Sequence, residues 1–343
     1  MSTSALASVN SAIYRAVITS KFRTEKMYTF YKSVGDGPEQ NTMYISFGKS
    51  TPWSANENEP GFAPPYPSDS TDGVVDIWTN MMGVVKVDPS MLDCVIPRRD
   101  WGDSRYGNST FLIGDIVVTN NAPYNKTEVG AGWLVYKCVD VPNNGMCSIG
   151  QLPSKDECLA LGGKWTPSNS SAIVPRGRAD TSGGTNGIID TGDGYYWEYL
   201  YEIPPDVSIN RCTNEYIVVP WPEEVAADPQ RWGYHNNISW QQYDYDIIYR
   251  LKANCVRFKA FLDSVYFPEF SLPGNTGFRQ LAVISNPLEA KKNPNDPNVK
   301  ATKGSYPAVS LFRQSGEIIY MENRQPIIRS MDQTEEVSII FEF

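Results

Sequence analysis

A single histidine, His235, in 343 residues leaves this chain almost without the side chain most used for proton transfer and metal binding near neutral pH. No G-x-S-x-G elbow accompanies it and no cysteine lies in a nucleophile signature, so His235 reads as a loop or surface residue. C-x-x-C pairs are also missing. Cys94, Cys138, Cys147, Cys158, Cys212 and Cys255 are scattered, with no histidine at metal-ligand spacing. They read as reduced, mostly buried small hydrophobes of a protein made in a cytosol. Gly183-Gly184-Thr185-Asn186-Gly187 lacks the Lys-Ser/Thr that completes a phosphate loop. Positive charge is scarce: the net charge is −9, and Arg98-Arg99 and Lys291-Lys292 are short clusters flanked by acids. Nucleic acid is therefore an unsuitable partner, because phosphate contacts need clustered Lys and Arg. No apolar run is long enough to cross a bilayer, and residues 1–10 have neither a basic nor an apolar segment of the kind a signal peptide needs. The expectation is a protein that is not an enzyme, with no cofactor, no metal, no small-molecule substrate and no membrane insertion.

What is present is strand-like. Val256, Phe258, Ala260 and Leu262 alternate with Arg257, Lys259 and Asp263, the period-2 pattern of a strand with one buried face. Val337, Ile339, Phe341 and Phe343 repeat it at the C-terminus. Further strands are expected over 43–47, 111–119, 133–139, 195–203, 215–219, 247–251, 281–285 and 317–321, most of them closed by Pro, Gly or Asn. Helices are few: 24–34 ending at Gly35, 72–82 ending at Gly83, and a turn opened by Trp221-Pro222-Glu223-Glu224. A fourth follows the capping-box sequence Ser154-Lys155-Asp156-Glu157 and stops at Gly162-Gly163.

Two stretches interrupt this framework, over 50–83 and 141–194, within what reads as one structural unit spanning 1–343. The first is rich in Pro, Asn and Glu over 50–67. The second carries the capped helix and then a Gly/Ser/Thr/Asp-rich run over 168–194, which has too few hydrophobes to bury and is expected to be a mobile surface loop. Asp190 and Asp193, next to Tyr195-Tyr196-Trp197-Glu198, are the best carboxylate pair for glycoside chemistry, although Asp-x-Gly-Asp-Gly is also ordinary turn chemistry. The aromatic load is unusual, with 9 Trp and 20 Tyr. Trp53, Phe62, Tyr66, Trp101, Tyr106, Tyr124 and Trp165 lie in loop-like settings and are candidate interface anchors, since aromatics bury large area at low rotamer cost.

Several long blocks carry a resemblance: Thr19-Ser20-Lys21-Phe22-Arg23-Thr24-Glu25-Lys26-Met27, Gly61-Phe62-Ala63-Pro64-Pro65-Tyr66-Pro67, Ile96-Pro97-Arg98-Arg99-Asp100-Trp101-Gly102-Asp103 and Ile203-Pro204-Pro205-Asp206-Val207-Ser208-Ile209-Asn210. With Asp263-Ser264-Val265-Tyr266-Phe267-Pro268-Glu269 and Met331-Asp332-Gln333-Thr334-Glu335-Glu336, they make the chain resemble the baseplate wedge subunits of T-even-type contractile-tailed phages from about residue 13 to 343. The departures fall in the first dozen residues, 168–190 and 302–314. The resemblance implies a mainly β fold, a three-layer antiparallel β-sandwich with two helix-containing loops projecting from it. It further implies a homodimer in each wedge, contacts with other wedge proteins, assembly in the host cytoplasm and residence in the virion tail baseplate. No catalytic or metal-binding residues come with it. The rival from another class is a carbohydrate-binding or carbohydrate-cleaving tail protein, which predicts a Trp- and Tyr-lined groove with facing carboxylates.

Overall fold

The computed structural model describes residues 17–103, 110–120, 132–168, 172–178, 188–233, 246–262, 277–287, 316–328 and 335–343. In chain order its elements are α1 (Ser20–Ser33), β1 (Met43–Gly48), α2 (Thr71–Asn80), β2 (Met81–Val87), β3 (Leu92–Pro97), β4 (Ile116–Asn120), β5 (Trp133–Asp140) and β6 (Gly145–Cys147). There follow α3 (Lys155–Ala160), β7 (Trp165–Pro167), β8 (Ile188–Asp190), β9 (Tyr196–Ile203), α4 (Pro205–Arg211), β10 (Tyr216–Val219) and α5 (Pro222–Ala227). The last are α6 (Asp246–Arg250), β11 (Cys255–Leu262), β12 (Gly277–Ser285), β13 (Glu317–Ile328) and β14 (Glu335–Glu342).

Among the described residues the strands form three four-stranded sheets and a hairpin, and every strand-to-strand ladder is antiparallel. Sheet I has the order β13-β12-β1-β2, sheet II β10-β3-β11-β14, and sheet III β4-β5-β9-β8, while β6 pairs with β7. The mainly β, sandwich-like architecture expected from the sequence is what the chain adopts.

One core of buried residues draws on all three sheets, including Phe47 and Leu281 of sheet I, Val95 and Val256 of sheet II, and Val135 and Ile203 of sheet III. Sheet II is covered on one face throughout and on the other along β10 and β3, while β14 leaves that second face open to solvent. On the first, Cys94 lies 3.9 Å from the Met27 sulfur of α1, and the Phe258 ring lies 5.9 Å from Phe30. At the outer edge of β10 the Tyr201 hydroxyl of β9 donates to the carbonyl of Val218 at 2.9 Å, tying sheet III to sheet II. Asp93 and Arg257 share that second face. Arg257 donates to Asp93 Oδ2 at 2.6 Å, and Arg211 of α4 donates to Asp93 Oδ1 at 2.6 Å and to Glu224 of α5 at 2.5 Å. The period-2 reading placed Arg257 on a solvent face. It is buried instead, because the sheet has no solvent face there and a carboxylate partner satisfies the charge.

Sheet III turns its aromatics by a register shift. Val135 pairs with Tyr201 and Tyr136 with Tyr199, so Leu200 is an extra residue, a β-bulge. One added residue moves the alternating set to the opposite face. Trp197 and Tyr199 therefore enter a second core with Phe111, Tyr136 and Trp165, whereas Tyr201 and Ile203 enter the main one.

Helix boundaries follow the caps. α1 starts before the expected position 24 because Thr19 Oγ1 accepts from the Phe22 amide at 3.3 Å. α2 is capped by Ser70 and stops at Asn80, since Met81 and Met82 enter β2 instead of continuing the expected 72–82 helix. Residues 247–251, expected as a strand, form α6 and its closing turn. Ile247 and Ile248 are adjacent and both buried, which a helical turn against the core allows, and the amides of Leu251 and Ala253 bond to their carbonyls at 3.0 and 2.9 Å. Pro326 sits within β13, an edge strand, where its missing donor costs no ladder bond on the open side.

Candidate interaction surfaces

The residues nominated for chemistry are occupied by structure. Asp193 Oδ1 accepts from the Thr191 hydroxyl at 2.5 Å and the Tyr195 amide at 3.0 Å, and its Oδ2 accepts from the Ile173 amide at 2.5 Å. Asp190 Oδ1 accepts from the Gly192 amide at 2.8 Å. Tyr195 and Trp197 are fully buried. This is a turn leading into β9, and it offers no facing carboxylate pair above an exposed aromatic. His235 lies outside the described residues. Among the described residues no group of three His, Cys, Asp or Glu side chains is placed to hold a metal, and no helix is long and apolar enough to cross a membrane. Burial pushes the Cys138 thiol up to about 12 and also holds the Cys94 thiol far above its usual range, so both stay neutral and poor nucleophiles.

A cavity of about 510 Å³ opens between the second excursion and sheet III, lined in part by Asp140, Pro142, Lys155, Ile188 and Tyr196. Its cation is engaged: Lys155 Nζ donates to Asp140 Oδ1 at 2.6 Å and to the Val141 carbonyl at 2.9 Å.

The first excursion is strapped along the edge of sheet I. Arg279 of β12 makes a two-pronged bond to Glu57, with Nε to Oε2 and Nη2 to Oε1 both at 2.6 Å, and donates from Nη1 to the Ser50 carbonyl at 2.7 Å. That hydrogen bond holds the Glu57 carboxyl below the usual carboxylate range, against the opposing effect of burial. Trp53 Nε1 donates to the Arg324 carbonyl of β13 at 3.0 Å, and Lys49 stands over the indole at 4.7 Å. Farther out, side-chain amides of β13 hold the strap: Gln325 donates to the Phe62 carbonyl and Asn323 to the Pro65 carbonyl, each at 3.0 Å. The sequence carried no sign of the Glu57–Arg279 pair, whose members are 222 positions apart.

The second excursion is a small lobe of β6, α3 and β7. Ser154 Oγ accepts from the Glu157 amide at 3.2 Å, and Gly162 closes the helix at φ +77°. Here the reading of all six cysteines as reduced is corrected: Cys147 and Cys158 form a disulfide across 11 positions. The disulfide joins β6 to α3 and closes this small lobe, whose Trp165 and Cys158 also pack into the second core. Spacing outside any C-x-x-C pattern hid it. Cys94, Cys138, Cys212 and Cys255 remain thiols.

The seven nominated aromatics divide by environment. Trp165 is buried and donates to the Pro142 carbonyl at 3.1 Å. Trp101 stacks on Phe111 at 4.8 Å and meets Trp197 edge-on at 5.6 Å. Trp53 and Phe62 are half-buried in the strap, whereas Tyr66 is 97% exposed. Tyr106 and Tyr124 lie outside the described residues, as does most of the 168–190 stretch.

The family model described as Bacteriophage T4, Gp8 matches residues 16–343. The baseplate wedge protein gp8 of Enterobacteria phage T4 is 68% identical over 335 residues, which cover 97% of this chain and 99% of that protein.

Proposed function

We propose, because the chain belongs to the bacteriophage T4 Gp8 family, that it is a structural subunit of a phage tail baseplate wedge. Its place is the virion tail baseplate, and it is assembled there from the host cytoplasm. It works by holding neighbouring proteins in place and makes or breaks no covalent bond. The observation that carries this reading is the near-full-length match to a baseplate wedge protein. A turn-bound Asp193, buried neutral thiols and an ion-paired Lys155 are in keeping with it.

In this reading two copies pair as a closed dimer, which presents every patch twice, and heterologous contacts to other wedge proteins set the geometry. The whole chain acts as one unit, and the 50–83 and 141–194 excursions carry the contacts to neighbours. Of the nominated aromatics, Tyr66 and the half-buried Phe62 stand nearest to such contacts. Trp53 ties the first excursion to β13, while Trp165 and Trp101 pack into the second core. When the plate rearranges on host attachment, the sheets move as rigid bodies, because close-packed cores resist deformation.

Supplying the chain in cells infected by a phage that lacks the corresponding wedge gene tests the reading. Complete tails should form, with the chain present in purified particles. Tails that form without incorporating it, or substrate turnover by the isolated chain, would overturn the proposal.

A further inference from the structure

We infer that residues 59–72 form a preorganised docking ligand, with Tyr66 as its anchor, for an aromatic-lined groove with a basic rim on another wedge protein. This rests on the baseplate reading above and gives one of its contacts a chemistry.

Three observations point the same way. The first is shape. Pro60, Pro64, Pro65 and Pro67 fix φ along the segment, and residues 63–69 run without helix or strand pairing. Bonds from Gln325 and Asn323 hold the carbonyls of Phe62 and Pro65 against β13, so the extended course is set before any partner arrives. A segment already ordered loses little conformational entropy on binding. Proline-rich extended chains are read by grooves lined with aromatic rings.

The second is exposure. Tyr66 is 97% exposed, while the Trp53 indole of the same excursion is tied down by a hydrogen bond and a cation contact. Single exposed apolar residues are common on protein surfaces. Here the exposed ring stands on a strapped, rigid support, which is the setting of an interface anchor.

The third is charge. No Lys or Arg occurs between Lys49 and Lys86, whereas Glu57, Glu59, Asp69, Asp72 and Asp76 all fall within that interval. Glu57 and Asp76 are engaged with Arg279 and Gln280. Glu59, Asp69 and Asp72 are exposed, and no ion pair holds them among the described residues. The segment flanking Tyr66 is therefore uniformly acidic, which calls for Lys or Arg at the rim of the receiving groove.

The test uses the purified full-length chain, titrated into an extract of cells infected by a phage that lacks the wedge gene, with incorporation into sedimenting baseplates as the readout. Tyr66→Ala should raise the half-saturating concentration at least about thirtyfold, as expected for a hot-spot aromatic. Its thermal unfolding should match the unsubstituted chain, since the ring packs against nothing. Asp69→Lys with Asp72→Lys should also weaken incorporation and flatten its salt dependence. Incorporation of Tyr66→Ala within about threefold of the unsubstituted chain would overturn the inference at this effect size. A shift by Tyr66→Ala in the self-association of the isolated chain, read by analytical ultracentrifugation, would overturn it by making the occupant a second copy. Failure of the unsubstituted chain to incorporate would instead count against the baseplate reading itself.

Discussion

Removing the carboxylate at position 57 should release the first excursion from sheet I. The Glu57 side chain is 3% exposed and that of Arg279 10%, so Glu57→Ala leaves a guanidinium in a nearly dry site with two of its donors unpaired. Breaking a buried pair from one side costs about 3–5 kcal/mol, most of it the penalty on the abandoned charge. Arg279 keeps only the Ser50 carbonyl, and the Trp53 amide loses its 2.9 Å acceptor as well. Part of that cost can be avoided if the strap detaches locally and lets water reach Arg279. Global unfolding in urea would then fall by less than the full amount, while cleavage within 50–67 by an added protease rises instead. The two assays together bound the energy. Replacing both partners, as in Glu57→Leu with Arg279→Met, removes the charge from the site and should restore most of the loss.

The pH dependence has a fixed sign. The Glu57 carboxyl lies below its ordinary value because Arg279 hydrogen-bonds its charged form. Its contribution is therefore whole above the ordinary glutamate value of about 4.3 and is lost as pH falls through the lower native value. The gap between the unsubstituted chain and Glu57→Ala should be constant near neutrality and close only in acid. A loss under about 1 kcal/mol at pH 7 with unchanged protease resistance would mean that the pair does not hold the strap.

Reduction of Cys147–Cys158, or Cys158→Ser, should cost the second lobe about 3 kcal/mol from the loop it closes and open 141–167 to proteolysis, leaving the three sheets folded. Differential alkylation checks it, and six free thiols in the native, unreduced protein would refute the link. Gly163→Ala should hinder the same bond, because a Cβ there would lie 2.7 Å from each sulfur; full disulfide recovery at unchanged stability would contradict that packing. In particles before and after tail contraction, sheets I, II and III should each superpose within about 1 Å, the usual scale of backbone shift in preorganised partners. A repacked sheet core in either state would refute rigid-body movement.

Strands with one solvated face showed their alternation in the sequence; of those buried nearly throughout, β1 and β12 were still found as short apolar runs, whereas β2 and β3 were not. β14 alternates as expected, with Val337 and Ile339 buried and Glu336 and Ser338 exposed. β2 and β3 escaped detection because their burial is nearly continuous along Met81–Val87 and Leu92–Pro97, which leaves no period-2 signal. The same two-sided burial takes in Arg257, whose carboxylate partner Asp93 lies 164 positions away. α4 was missed for a different reason. Ile203-Pro204-Pro205 was read as strand punctuation, but Pro205 also suits the first turn of a helix, where its absent N–H is not needed. The bulge at Leu200 has no local signature, yet it decides which core receives Tyr199 and which receives Tyr201.

The binding surfaces were legible to a different degree, because a scaffold selects for what its loops present and not for a spacing of reactive groups. Aromatic content and proline punctuation picked out both excursions, but they could not separate a ring that supports a loop from one that the loop displays. Trp53 and Tyr66 look alike in sequence, each beside proline in a polar stretch. What separates them is the reach of β13: its Arg324 carbonyl takes the indole N–H, while Asn323 and Gln325 stop at the backbone of 62–65 and leave Tyr66 beyond the edge. In this one excursion Trp53 holds the loop down while Tyr66 is left exposed. The run without Lys or Arg from 50 to 85 was visible in the sequence, but only the structure shows that Tyr66 near its centre is exposed, the observation on which the proposed docking contact is built.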